Sequence, residues 1–172
     1  MSSTIIDLRT AVRKFHTIAG LDRYQQLWII PLFFLSGLLR MAVLILPFRW
    51  ISPLLGKQNK NISLTLLATQ EQEIEALRTG RVVRAVSKYT PWESKCLIQA
   101  LLAAIMLRLR SVPFVVFLGM ARSKEEKSGY AAHAWLTIGR CAVTGGRGNL
   151  QYGVVAVYIF DPCCKSKPEG TL

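Results

Sequence analysis

Pro91-Trp92-Glu93-Ser94-Lys95-Cys96-Leu97-Ile98-Gln99-Ala100-Leu101-Leu102-Ala103-Ala104-Ile105-Met106-Leu107-Arg108-Leu109-Arg110 decides how the rest of the chain is arranged. Leu97, Ile98, Leu101, Leu102, Ile105 and Leu109 recur at three- and four-residue spacing, which predicts a strongly patterned helix. Pro91 sets a new chain direction, and Thr90 or Ser94 can cap the first turn. Ala100, Ala103 and Ala104 are small enough to let that helix approach a sheet closely. Arg108 and Arg110 suit its C-terminal end, and Ser111-Val112-Pro113 stops it.

Downstream, the period changes from helical to extended. Phe114–Leu118 is a short apolar run that predicts a buried strand, and 122–129 reads as a charged loop. Ala131–Ile138 predicts a second strand, Gly139-Arg140 a tight turn and Cys141–Thr144 a third strand. Gly145-Gly146-Arg147-Gly148 reads as a loop, and Gly153–Phe160 as a fourth strand rich in Val, Tyr and Ile. The tail from Lys165 is polar and expected to fray. Upstream, Thr69 opens a helix with Glu71, Glu73 and Glu75 early and Arg78, Arg81 and Arg84 later, a polarity that suits the helix dipole. Helices, one central helix and then an antiparallel meander make an α+β arrangement, with the sheet wrapped against the Cys96 helix.

The N-terminal part is helical and more ambiguous. Ile5, Leu8, Val12, Phe15 and Ile18 mark an amphipathic helix ended by Gly20, and Asp22 can cap the next. From Leu27 to Phe48 the one charge is Arg40, with Pro31 and Pro47 near the ends. Three readings fit: a buried helix pair or hairpin, a membrane-surface anchor flanked by Arg23, Arg49, Lys57 and Lys60, or a true span. Spanning would place Arg40 well inside the apolar layer, at a cost of about 2.5–3.5 kcal/mol. Gly56–Ser63 is a polar break and is read as a linker. The division expected is a helical segment over residues 1–60 and a core over residues 61–172.

Composition narrows the partners. The chain has 172 residues, 51% of them hydrophobic, and a net charge of +12. That is too little apolar sequence for a multi-span membrane protein. The positive charge suits acidic peptides, anionic lipid or nucleic acid. No interleaved basic/aromatic pattern or zinc-finger spacing supports nucleic acid. Cys96, Cys141, Cys163 and Cys164 show neither a metal-ligand spacing nor a disulfide framework, so no metal and no cofactor is expected. No apolar h-region opens the chain, so reduced thiols in a cytoplasmic setting are expected. The Asn61-Ile62-Ser63 glycosylation match is then accidental.

Two residues carry chemistry. Cys96 sits in the first turn of the best-defined helix, where the dipole and neighbouring Lys95 favour a thiolate. His133 lies in the strand-like Ala132-His133-Ala134-Trp135-Leu136, between small residues that leave its ring accessible. A thiol and an imidazole so placed read as nucleophile and base. A buried core cysteine and a structural histidine are the blander alternatives. His16 reads as a surface residue, and Cys141, Cys163 and Cys164 as structural. Trp92 and Trp135 are core aromatics by default, yet both are close enough in sequence to wall a cleft. As a phosphate cradle the Gly145–Gly148 loop is a weak signal, since no helix follows it.

Trp92, Cys96-Leu97, the Ala/Leu/Arg helix, Val112-Pro113, a strand ending at Gly119, Ala132-His133-Ala134-Trp135-Leu136 and Val143-Thr144-Gly145-Gly146 occur in a telling order. Together they resemble the transglutaminase-like leader peptidases of lasso-peptide biosynthesis. Leu44-Ile45-Leu46-Pro47-Phe48-Arg49 and Leu54-Leu55-Gly56 are similar to the helical segment before that core, so the resemblance covers roughly residues 20 to 160. It implies a transglutaminase/papain-like core that removes the leader from a ribosomally made precursor peptide. It also implies a small leader-recognition protein and a macrolactam synthetase as partners. Cys96 would be nucleophile and His133 base, then acid, with the Cys96 amide as an oxyanion donor. Many relatives carry an Asp about a dozen residues after the histidine; here that place is Thr144-Gly145, and no acidic residue lies between His133 and Asp161. Asp161, Asn149, Thr144 or a backbone carbonyl is left to orient the ring. Two other functions stay in view: another acyl-transfer enzyme of the same fold, or a non-catalytic scaffold that binds peptide or the inner face of a membrane.

Overall fold

The computed structural model describes residues 23–59, 66–90, 96–123, 129–146 and 151–162, without the side chains of Tyr24 and Gln25. The expected helix at 5–18 with His16, the Asn61 acceptor, Trp92 to Lys95, Arg147 to Asn149, Cys163, Cys164 and the tail lie outside the described residues.

Long helix α1, Arg23–Ile45, comes first, followed by the one-turn α2, Phe48–Ile51, and a 3₁₀ turn at Ser52–Leu54. Strand β1 is Lys57–Asn59. Helices α3, Gln70–Tyr89, and α4, Cys96–Leu109, precede β2, Phe114–Arg122. The chain then forms β3, Tyr130–Ile138, β4, Cys141–Thr144, and β5, Gly153–Phe160.

Thr69 does start α3. Its hydroxyl accepts from the Gln72 amide at 3.3 Å, while the Thr69 amide donates to Gln72 Oε1 at 3.0 Å, a reciprocal capping box. Helix α4 is described from Cys96 onward and ends where expected. Beyond it Ser111 takes φ +53°, and the Val112 amide reaches back to the Leu107 carbonyl at 2.9 Å. That is the Schellman closure, here with serine in the left-handed position that usually falls to glycine.

The sheet is wholly antiparallel, ordered β1-β5-β2-β3-β4. A simple meander is therefore not what forms: β5 leaves β4 and crosses back to pair with β2, which becomes a central strand. Val115 and Val116, pointing to opposite faces, are both buried, so β2 needs cover on both sides and both edges. Its length also exceeds the apolar run that announced it, because Met120, Ala121 and Arg122 still pair with Ala132, Ala131 and Tyr130. Lys57–Asn59, read as part of a linker, is instead the edge strand on β5.

The Leu27–Phe48 stretch is not a hairpin. Ser36 and Gly37 stay helical, with the buried Ser36 hydroxyl donating to the Phe33 carbonyl at 2.7 Å, so no turn opens there. Pro31 is accommodated inside the helix. Leu32, Ser36 and Leu39 face the core, where α1 packs on α3 and α4. Under α4 lie Phe114, Val116, Ala134, Leu136 and Ile138 of the sheet, with Leu101, Leu102, Ala103 and Ala104 above them.

Candidate active site

Alternation along β2 and β3 assigns side chains to faces. Phe117 is opposite Trp135 and Gly119 opposite His133, on the face away from the core residues beneath α4. Trp135 stacks on Phe117 at 5.5 Å, and His133 stacks on Trp135 at 5.8 Å. Tyr152 covers the imidazole from the turn before β5, at 4.9 Å. Gly119 makes this pile possible: a Cβ there would come within 2.9 Å of both Trp135 and Tyr152.

Beyond Leu136, β3 has β4 beside it only as far as Thr144. Gly145 follows with φ +66°, and a Cβ on it would overlap the Ala134 carbonyl. Ala134 therefore points its carbonyl toward the β4 side, and by the two-residue period Ala132 does the same. Both candidates contact backbone at this end of β3. The Cys96 thiol reaches the Ala132 carbonyl oxygen at 3.9 Å, and His133 Nε2 lies 2.8 Å from the Gly145 carbonyl oxygen.

A carbonyl oxygen can only accept, so Nε2 carries the proton in that bond. In the neutral ring Nδ1 is then the basic nitrogen. The thiol meets the backbone of Ala132, one residue before the histidine in the chain. The arrangement supplies a sulfur nucleophile, a ring nitrogen able to receive a proton, and an aromatic wall.

The backbone carbonyl of Gly145 thus holds the ring in the place of the acidic residue that many relatives carry. Thr144 turns inward, its buried hydroxyl oxygen without a hydrogen-bond partner among the described residues. Asp161 follows Phe160, which pairs with Phe114 at the other end of β2. Five residues along a strand separate that end from Gly119, about 17 Å. There Asp161 lines a cavity of about 530 Å³ with Pro53, Lys57 and Arg108. Asn149 lies outside the described residues.

The placement of Gly145 is itself supported. Arg84 of α3 donates to the Val143 carbonyl at 2.8 Å, and Gly80 presses so closely on that carbonyl that a Cβ would overlap it. Helix α3 therefore fixes β4, and β4 fixes the carbonyl that holds His133. Tyr152 and this α3 support carried no local sequence signal, since both act through contacts distant in the chain. Cys141 sits at the other end of β4, its thiol pushed up from the ordinary range by burial first and then by the Glu73 carboxylate, through charge and a hydrogen bond. Among the described residues no three His, Cys, Asp or Glu side chains gather as a metal site.

A family model of the transglutaminase-like superfamily matches residues 42–157, more than half of the chain. The chain belongs to the transglutaminase-like superfamily. The match runs from the second half of α1 into β5 and so takes in both candidate residues. The superfamily includes cysteine peptidases, and its fold commonly serves cysteine proteases or acyltransferases. No curated protein and no solved structure matches the chain.

Proposed function

We propose that this transglutaminase-like chain is a cysteine peptidase that removes the leader from a ribosomally synthesised lasso-peptide precursor before macrolactam closure. The observation that supports the peptidase reading is that the Cys96 thiol meets the Ala132 carbonyl, one residue before a His133 ring oriented by the Gly145 carbonyl. The precursor and its partners, a small leader-recognition protein and a macrolactam synthetase, rest on the order of the sequence motifs.

Chemically, Cys96 gives its proton to His133 Nδ1 and its sulfur attacks the carbonyl carbon at the leader–core junction. The amide at the start of α4 faces the developing oxyanion. Collapse breaks the C–N bond, and the proton on Nδ1 passes to the departing amine. Water, losing a proton to Nδ1, then attacks the thioester, releasing the leader as a carboxylic acid and returning the proton to sulfur. Throughout, the bond from Nε2 to Gly145 keeps the ring in one orientation.

Incubation of the purified chain with a candidate precursor and recognition protein, followed by mass spectrometry, tests this. Cleavage is expected, with Cys96→Ala lowering its rate by roughly four orders of magnitude or more. Cleavage unaffected by Cys96→Ala sinks the reading. An acyl-transfer enzyme would instead give an amine-dependent product from the same thioester. A scaffold would bind the leader with Cys96→Ala and His133→Ala leaving affinity unchanged.

A further inference from the structure

Leu27, Ile30, Phe34, Leu38, Met41 and Ile45 recur at three- and four-residue spacing, forming one stripe along α1. Every one is exposed, Leu27 at 74% and Leu38 at 67%. The stripe lies opposite Leu32, Ser36 and Leu39, which seat the helix on α3 and α4. Just past the helix, Phe48 and Trp50 add exposed aromatic surface, Trp50 at 66%. A contiguous apolar face of this extent, rimmed by charge, is an interaction surface.

The charge around it selects the occupant. From Arg23 to Gln70 there is no Asp or Glu, while Arg23, Arg40, Arg49, Lys57 and Lys60 are all basic. Arg23 and Arg49 are exposed and bracket the stripe at its two ends. Two copies joined through this face would bring those arginines together with no carboxylate in the segment to pair them. An anionic lipid surface offers both things the face lacks: an apolar layer for the stripe and negative headgroups for the rim.

We infer that α1 docks the protein on an anionic bilayer, lying in the interface plane with its stripe in the acyl boundary. Gln26–Ile45 is long and apolar enough to cross a bilayer. Crossing would strip Leu32, Ser36 and Leu39 from the core and carry Arg40 into the hydrocarbon, whereas lying flat preserves the observed packing. Trp50, beside Arg49, falls at the headgroup level where an indole ring is favoured. This inference stands independently of the peptidase reading, since it uses none of the β3 residues.

The test is co-sedimentation of the full chain with equimolar phosphatidylglycerol–phosphatidylcholine vesicles, against phosphatidylcholine alone. Binding to the anionic vesicles is expected, weakening as salt rises. Phe34→Glu and Leu38→Glu each weaken it by about tenfold or more. Both positions are exposed, so the variants keep the wild-type melting curve, and the Arg23→Gln/Arg49→Gln double variant provides a second, charge-based arm that also weakens binding. Alkaline carbonate should release the bound protein. Failure to bind anionic vesicles overturns the inference, as does binding indifferent to the stripe variants. A lipid-free dimer that dissociates on Leu38→Glu and does not bind vesicles makes the face a self-interface, and resistance to carbonate makes α1 a span; either outcome overturns it too.

Discussion

Gly145 shows how one residue can hold a site without a functional side chain. Its φ of +66° belongs to the left-handed region, and the Ala134 carbonyl occupies the space a Cβ would need. Gly145→Ala must shift the carbonyl that holds His133 Nε2. We expect the substitution to slow precursor cleavage by about 100-fold, the range of a mispositioned general base, with leader binding retained. Single-turnover cleavage beside a binding titration checks this. Cys141 supplies a contrast to Cys96. Burial and the Glu73 carboxylate raise its thiol above the usual range, so at any pH below its titration it holds less thiolate than an ordinary cysteine. Iodoacetamide at pH 8 should label Cys96 before Cys141. Glu73→Gln removes the charge and should accelerate Cys141 labelling while leaving Cys96 unchanged, which peptide mapping by mass spectrometry reads directly.

Among the elements, α4 is the one whose course and C-terminal limit were most legible, because its apolar period and Ser-Val-Pro stop are local signals. Its C-terminal closure carries a local cost that sequence spacing could not reveal. Ser111 sits at φ +53°, where a side chain is disfavoured and glycine is not. Ser111→Gly is therefore expected to stabilise the protein, by about 1 kcal/mol, read as a higher urea midpoint with an unchanged slope. Helix α1 teaches the opposite lesson. Its composition admitted a hairpin, a surface anchor and, against the cost of burying Arg40, a span, and no local signal chose the form. Which of its faces is buried depended on α3 and α4, elements that lie after it in the chain.

At the scale of the whole molecule, Arg110 ties three helices together. From the end of α4 it makes a 3.0 Å ion pair with Glu75 of α3, donates to the Thr79 hydroxyl at 3.2 Å, and lies over the Trp28 ring of α1 at 5.4 Å. Arg110→Ala leaves the buried Thr79 hydroxyl without this donor and loosens α1. A loss of about 1–3 kcal/mol in unfolding free energy is expected, checked by equilibrium denaturation. The same packing extends to the site, because α3 also grips β4 through Arg84 and Gly80, and β4 sets Gly145.

The sequence alone determined the α+β class, the end of α4, the extents of β4 and β5, and the choice of Cys96 and His133 as candidate site residues. Each of those rests on a short-range period, cap or motif, which acts within a few residues and so is written locally. Tertiary structure decided the return of β5 to β2, the recruitment of 57–59 as an edge strand, and the single-helix form of α1. It also decided that a glycine carbonyl, not a carboxylate, holds His133, and that Tyr152 covers the ring. These depend on which surfaces remain uncovered once the helices and strands meet. That is a property of packed layers, and no window of sequence contains it.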